Sequence, residues 1–308
     1  MKHLFIVNPV AGGSDKTDEV RARAREAFRS REEPYEIYVT RGPMDAARKI
    51  REEAESGERL RVYACGGDGT FNECVCGAAL CENVAVCPFP VGTGNDFCRM
   101  FGAEKELFRD LDALLDGMER PIDLIECNGR YSANICSVGI DTRIGTEVHK
   151  YSKIPLIGGA TGYVVSAAVN MFRGIATMMT VRCGDFERRG PTTLVCACNG
   201  RFYGGGFNPS LHARPDDGIM DVYIAKKVNI VQFAALIGKY AAGRADELPA
   251  YVTHLKTGED LEILFEKEDV VNVDGEALYT DRVRMRMLPG AMKLIVPKGM
   301  RFFDDPEA

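Results

Sequence analysis

The 308-residue chain lacks the marks of several large functional classes. Its 39 Lys and Arg against 45 Asp and Glu give a net charge of −6, without the basic excess that holds a nucleic-acid backbone. Local basic stretches remain at Arg21, Arg23, Arg25, Arg29 and Arg31, and their spacing reads as the solvated face of an amphipathic helix. Only four histidines occur, at 3, 149, 212 and 254, too dispersed for a zinc site. Cys74, Cys76, Cys81 and Cys87 sit close together without a Cys-x-x-Cys pair. Eleven cysteines, an odd number without an export signal, read as small buried hydrophobes of a reducing compartment. No repeat at a fixed period and no low-complexity linker is visible.

Long hydrophobic runs are missing as well. After Met1-Lys2-His3, four apolar residues precede Asn8-Pro9, which is short for a signal-peptide core and predicts a first buried strand. The longest stretch free of formal charge, residues 154–172, carries Pro155, Gly158, Gly159 and Gly162. It falls short of the roughly 20 predominantly apolar residues of a membrane span. Its second half, residues 163–172, reads as a buried helix or as the lining of an apolar groove. No lipidation motif is present. The expectation is a cytoplasmic protein with peripheral, reversible contact with the inner face of the cell membrane.

What is present is alternation. Residues 4–7, 35–39, 61–65 and 84–87 have strand character. Helical patterns fill residues 15–31 and 43–55 and follow Thr70 and Asn95. This order predicts an N-terminal three-layer α/β domain, residues 1–125, with a mostly parallel sheet. From about residue 126 to 290, short alternating runs separated by Asn199-Gly200, Asp217-Gly218 and Asp274-Gly275 predict a mainly antiparallel β-rich domain. The last strand, residues 293–296, fits either domain.

Three glycine turns follow strands of the first domain: residues 8–13, Gly66-Gly67-Asp68-Gly69-Thr70, and Gly92-Thr93-Gly94-Asn95-Asp96. Ligands of such sheets bind beyond the strands' carboxyl ends. Glycine lets a phosphate approach the main chain, and a helix starting after the turn offers unpaired N–H groups. No Walker lysine follows, so this is not a P-loop. Thr70, Thr93, Asn72 and Asn95 would be neutral donors to phosphate or ribose, and Asp68 suits Mg²⁺ through water or a sugar hydroxyl. In the second half, Asp216-Asp217-Gly218 and Asp274-Gly275-Glu276 read either as hairpin turns or as a hard-oxygen Mg²⁺ site and a general base, the two parts phosphoryl transfer requires. Arg201-Phe202-Tyr203-Gly204-Gly205-Gly206-Phe207 reads as a loop over a ligand or a tight bend.

In these blocks the chain resembles the bacterial diacylglycerol kinase-type lipid kinases, relatives of sphingosine and ceramide kinases and, distantly, of NAD kinases. Asn8-Pro9 with Gly12-Gly13, the two later glycine turns, Asn134 with Gly139 and Asp141, Asn199-Gly200, Asp217-Gly218 and Asp274-Gly275-Glu276 carry the resemblance in order. It implies a nucleotide-binding α/β domain followed by a β-sandwich domain, with the active site between them. It implies that Asn8, Gly12, Thr40, Gly66, Gly67, Asp68, Gly69, Thr70, Phe71, Asn72, Gly92, Thr93 and Asn95 hold ATP. Asp217 would bind a structural Mg²⁺ with the carbonyls of Arg214 and Ile219, and Asp68 would join the Mg²⁺–ATP network. Asp123 and Asp141 would sit in supporting polar networks. Glu276 matches the proton acceptor by motif position, with Asp274 as rival. The implied activity is ATP- and Mg²⁺-dependent phosphorylation of diacylglycerol to phosphatidate, on a lipid substrate at a membrane surface, with a homodimer as a further expectation. The alternatives are a kinase of a sphingoid base or other lipid alcohol, and a nucleotide- or lipid-binding protein without turnover.

Overall fold

Leu4, Phe5, Ile6 and Val7 are fully buried in strand β1 (Lys2–Val7). Four uninterrupted apolar residues follow His3 because a strand covered on both faces has no solvent side. The computed structural model describes residues 1–91, 95–151 and 174–305. Two units separate by their internal contacts: Met1–Leu124 with Leu288–Ala308, and Ile125–Met287. In the first unit β1 is followed by α1 (Thr17–Ala27), β2 (Tyr35–Val39), α2 (Asp45–Ala54), β3 (Leu60–Gly66), α3 (Asp68–Ala78), β4 (Val84–Pro90), α4 (Asp96–Arg99) and α5 (Leu111–Leu115). Strand β5 (Met118–Cys127) then leads into the second unit.

The first unit's strands pair in parallel: β1 with β2 and β3, and β3 with β4. Residue Lys293 of the last strand adds beside Ala85 of β4, also in parallel, so the chain's end belongs to this unit. The order places β1 and β3 side by side with β2 and β4 outside them. The chain therefore leaves β1 in one direction and β3 in the other. That is a topological switch point, where carboxyl-end loops diverge and leave a crevice.

Helix α1 is shorter than its sequence pattern. Asp15 accepts Thr17 N–H at 2.8 Å ahead of its first turn, and the helix ends at Ala27. The arginines of that sequence pattern are not simply solvated. The Arg23 guanidinium lies 4.4 Å from the Phe89 ring centroid, and Arg31 pairs with Asp116 at 2.6 Å. Arg61, inside an otherwise apolar strand, is buried with its guanidinium on the carbonyls of Leu114, Leu115 and Gly117. It thereby satisfies orphan acceptors at the end of α5.

The second unit adds β6 (Arg130–Ser132), β7 (Ile135–Gly139), α6 (Ile140–Tyr151), β8 (Thr177–Cys183), β9 (Phe186–Cys198), β10 (Met220–Lys226), α7 (Ile230–Ala241), β11 (Val252–Thr257), β12 (Leu261–Val273) and β13 (Glu276–Val296). Its strand pairs are antiparallel: β10 with β9 and β11, β12 with β13, β7 and β8, β9 with β7 and β8. Alternate residues such as Val138, Val195, Val222, Ile263 and Val283 form its main core. All eleven cysteines are free thiols and all but Cys81 are buried, so they serve as small apolar fillers. Among the described residues, no helix is long and apolar enough to cross a membrane.

Candidate functional site

The first unit gathers its motif residues at the carboxyl ends of β1, β2 and β3. The Asn8 amide donates to Thr70 Oγ1 at 3.2 Å, and Asn8 Oδ1 accepts Val10 N–H at 3.1 Å. One side chain thus ties the first glycine turn to the second. Gly12 sits at φ +70°, a left-handed conformation that favours glycine. Thr40 N–H bonds the Val7 carbonyl at 2.9 Å, fixing the end of β2 beside the end of β1.

Gly66 ends β3, and Gly67 caps α3 in an extended conformation. A Cβ at Gly66 would lie 2.3 Å from Thr70 Oγ1, so the turn closes only around glycine. Asp68 does not project freely from the helix start: its Oδ1 accepts Asp96 N–H at 2.7 Å. The Asn95 amide reaches the Gly66 carbonyl at 3.5 Å, and Asp96 pairs with Arg99 at 2.9 Å. The second and third turns are therefore laced together by side chain on main chain. Gly69 is exposed at the first turn of α3, where unpaired N–H groups and the helix dipole favour an anion.

Phe71 and Asn72 of the same helix are buried. Phe71 is buried with its ring 4.8 Å from that of Phe97, and Asn72 is buried with Cys76 Sγ near its Oδ1. On α3 these positions turn inward, so the Phe71 side chain packs the core beneath the turn. Gly92 and Thr93 lie outside the described residues, as does the apolar run 163–172. Asp123 is buried and accepts Gly290 N–H at 2.8 Å, pinning the bend of β13.

In the second unit, Asp274 and Glu276 share one hairpin and have opposite surroundings. Asp274, at φ +50°, has its carboxylate on Ser132 Oγ (2.5 Å) and on the N–H groups of Ala133 (2.9 Å), Asn134 (3.3 Å) and Ile135 (2.8 Å). Its own N–H returns to the Ile135 carbonyl at 3.1 Å. A carboxylate so occupied is a clasp between the hairpin and the turn leading into β7. Glu276 is exposed, and among the described residues its carboxylate has no hydrogen-bond or ion-pair partner. Of the two rivals, it has lone pairs open to a proton.

Asn134 and Asn199 also act as pins: Asn199 Nδ2 donates to the Ala133 carbonyl at 2.7 Å, while Asn199 and Gly200 N–H groups bond the Asn134 carbonyl. At the other acidic turn, exposed Asp217 accepts Ile219 N–H at 3.0 Å, and the Arg214 side chain folds onto Asp216 at 3.1 Å. Among the described residues no three His, Cys, Asp or Glu converge on one point. Exposed Asp217 supplies a single carboxylate, which fits Mg²⁺ as a hard cation that is bound through one or two carboxylates and keeps several waters.

The second unit also holds an apolar cavity of about 260 Å³. Helix α7 contributes Phe233, Leu236, Ile237 and Tyr240, and α6 contributes Ile140 and Ile144. Polar groups gather where Tyr203 O–H donates to Asp141 Oδ2 at 2.7 Å and meets Tyr240 O–H at 3.1 Å. Burial pushes the Asp141 carboxyl above its ordinary value, against the hydrogen bonds from Tyr203 and Ser137. The resemblance implies a polar network for Asp141 and says nothing of the cavity. Its signal is present in the helical spacing of Phe233, Leu236, Ile237 and Tyr240. Nothing in the sequence marks which strand residues complete the wall.

With this geometry in view, the likeness to known proteins has structural content. Residues 2–127 match the diacylglycerol kinase catalytic domain, and residues 134–296 match the YegS C-terminal NAD kinase beta sandwich-like domain. A probable lipid kinase YegS-like protein of Pseudomonas aeruginosa is 30% identical over 318 residues, covering 99% of this chain and 97% of that protein. Its namesake from Cronobacter sakazakii is 27% identical, covering 94% and 95%. A putative diacylglycerol kinase from Bacillus anthracis has a similar structure, with a TM-score of 0.70 at 26% identity, covering 96% of this chain and 97% of that one. The chain belongs to the diacylglycerol kinase-type, YegS-like family of lipid kinase-like transferases.

Proposed function

We propose that this protein is an ATP- and Mg²⁺-dependent lipid kinase that moves the γ-phosphoryl group of ATP to the primary hydroxyl of diacylglycerol, giving phosphatidate. The observation that carries the lipid part is the apolar cavity with a polar end, which suits an aliphatic chain attached to a hydroxylated head. The nucleotide part rests on the glycine turns laced together at the switch point of the first unit. There the main chain around Gly12, Gly66, Gly67 and Gly69 would face the phosphates, with Asn8, Thr40, Thr70 and Asn95 holding the turns in place and Asp68 tying the second turn to the third.

Glu276 accepts the proton of the attacking hydroxyl, whose oxygen forms the new bond to the γ-phosphorus as the bond to the β–γ bridging oxygen breaks. Asp274 positions Glu276 by fixing the hairpin, with no lone pair to spare for that proton. Asp217, with the carbonyls of Arg214 and Ile219, would hold Mg²⁺. When bound, that ion offsets negative charge among carboxylate and phosphate oxygens.

One observation favours a second acceptor. The Asp141 carboxyl at the cavity's polar end offers an anionic partner to an ammonium group, as on a sphingoid base. Transfer from Mg²⁺–ATP to diacylglycerol in mixed micelles, with sphingosine and NAD as parallel acceptors, separates the readings. Phosphatidate formed by the wild type and lost in Glu276→Gln is the expected result. Phosphorylated sphingosine alone moves the assignment to the second acceptor, and ATP bound without any product overturns the kinase reading.

A further inference from the structure

Helix α7 is apolar on nearly every side, reading Ile230-Val231-Gln232-Phe233-Ala234-Ala235-Leu236-Ile237-Gly238-Lys239-Tyr240-Ala241. A helix of that composition is ordinarily buried all round. Here only Tyr240 is buried. One face, with Phe233, Leu236 and Ile237, lines the cavity. The start of the helix is open: Ile230 is 49% and Val231 78% exposed, and Ala234 and Ala235 are exposed beyond them. The start is well formed, because Asn229 and Gln232 close a reciprocal capping box at 2.9 and 3.0 Å. The apolar tip is therefore held out by a rigid element.

Charge separates this surface from the rest of the chain. From Val222 to Gly243 there are three lysines, Lys226, Lys227 and Lys239, and no Asp or Glu, in a protein of net charge −6. Lys239 is engaged with Glu247 at 3.2 Å and Lys226 with the Ala250 carbonyl at 3.4 Å. Lys227 is exposed and borders a shallow depression shared with Ile175, Ala176, Ile230 and Val231. Two apolar side chains beside an exposed ammonium, on a helix whose other face lines an apolar cavity, match the layered chemistry of a bilayer surface: anionic headgroups over acyl chains.

We propose that the start of α7 is a membrane-docking surface, with Ile230 and Val231 entering the acyl boundary of an anionic bilayer and Lys227 on its headgroups. The assignment rests on the lipid-kinase reading for its purpose, but not for its test. Docking there sets the lipid source against the helix that walls the cavity.

The full chain is sedimented with vesicles of phosphatidylglycerol and phosphatidylcholine in equal parts, and with phosphatidylcholine alone. Wild type partitions to the anionic vesicles, and the Ile230→Glu/Val231→Glu double variant loses that binding about tenfold or more. Lys227→Glu weakens binding to the anionic vesicles at least about fivefold. Met118→Glu, which changes an exposed apolar residue of the first unit, keeps wild-type binding. The double variant also keeps wild-type turnover on a short-chain diacylglycerol presented as monomers, since neither residue lines the cavity. Equal sedimentation of wild type and double variant overturns the proposal, as does failure of the wild type to sediment. A wild-type dimer in light scattering that the double variant abolishes, without a difference on vesicles, assigns the face to self-association instead. Vesicle binding that depends on Ile230 and Val231 in a protein that phosphorylates no acceptor leaves the docking surface standing and removes the kinase reading.

Discussion

The first unit prepares its candidate site with main chain, the second with side chains. At the switch point the contacts run from Asn8 to Thr70, from Asp68 to the Asp96 N–H and from Asn95 to the Gly66 carbonyl, and their effect is to hold glycine backbone in place. In the second unit, the cavity draws Asp141 from one helix, Tyr203 from a loop and Tyr240 from another helix. The hairpin puts a saturated carboxylate two residues from an open one. The contrast teaches which kind of change each region will notice. A backbone site is damaged by an added methyl group. A side-chain site is damaged by exchanging one polar atom for another.

The largest expected effect is at the open acid. Glu276→Gln keeps the shape and removes the base, and turnover should fall by about 10²- to 10⁴-fold. The midpoint of urea unfolding should stay at the wild-type value, because the exposed carboxylate makes no hydrogen bond or ion pair among the described residues. Its neighbour should do the reverse. Asp274→Asn tolerates the positive φ but replaces one acceptor oxygen with an NH₂ group, which opposes the Ala133 N–H even with its remaining oxygen on the other three donors; this should cost about 1–3 kcal/mol in urea unfolding. If Asp274→Asn were as stable as wild type and Glu276→Gln as active, the contrast between the two acids would collapse.

The glycine side of the comparison is tested by Gly66→Ala. Its Cβ would meet Thr70 Oγ1 at 2.3 Å, so the turn must open. A stability loss of about 1–3 kcal/mol is expected, together with loss of nucleotide binding in calorimetry. Gly13→Ala meets no atom within 4 Å and, strained only by its φ of +78°, should cost about 1 kcal/mol. Equal effects at both positions would count against the close approach at Gly66.

The smallest effect is a slope. Burial raises the Asp141 carboxyl in the folded state, so the native protein holds that proton more tightly than the unfolded chain. Stability from this group is present at low pH and declines as pH rises above the ordinary value of 3.8, until the folded group itself has ionised. Asp141→Asn should flatten that decline when unfolding free energies of variant and wild type are compared across the acid range. A steeper decline in the variant would reverse the sign and sink the assignment.

Much of this is legible in the sequence. The alternation of apolar runs and helical patterns marks the strands at Lys2–Val7, Leu60–Gly66 and Val84–Pro90, because strands covered on both faces need near-continuous apolar runs, while Tyr35–Val39 is a half-buried strand at the end of the strand order. The glycine turns were legible because a positive φ or a missing Cβ is a property of one residue type. The roles of Phe71, Asp274 and the cavity were not. Phe71 stands inside a turn motif, yet the phase of α3 points its ring at Phe97. Asp274 and Glu276 are equivalent by spacing, and only the approach of residues 132–135 from another strand pair consumes the first.

The sequence by itself thus determined the order of elements, the change from parallel to antiparallel patterning and the places where the main chain can receive an anion. These follow from local constraints: side-chain period, backbone freedom and charge count. Tertiary structure alone decided which carboxylate stays open, where the apolar cavity lies and that an apolar helix keeps its first turn in solvent. Those properties depend on which distant residues arrive to cover a group, and one-dimensional spacing carries no record of that.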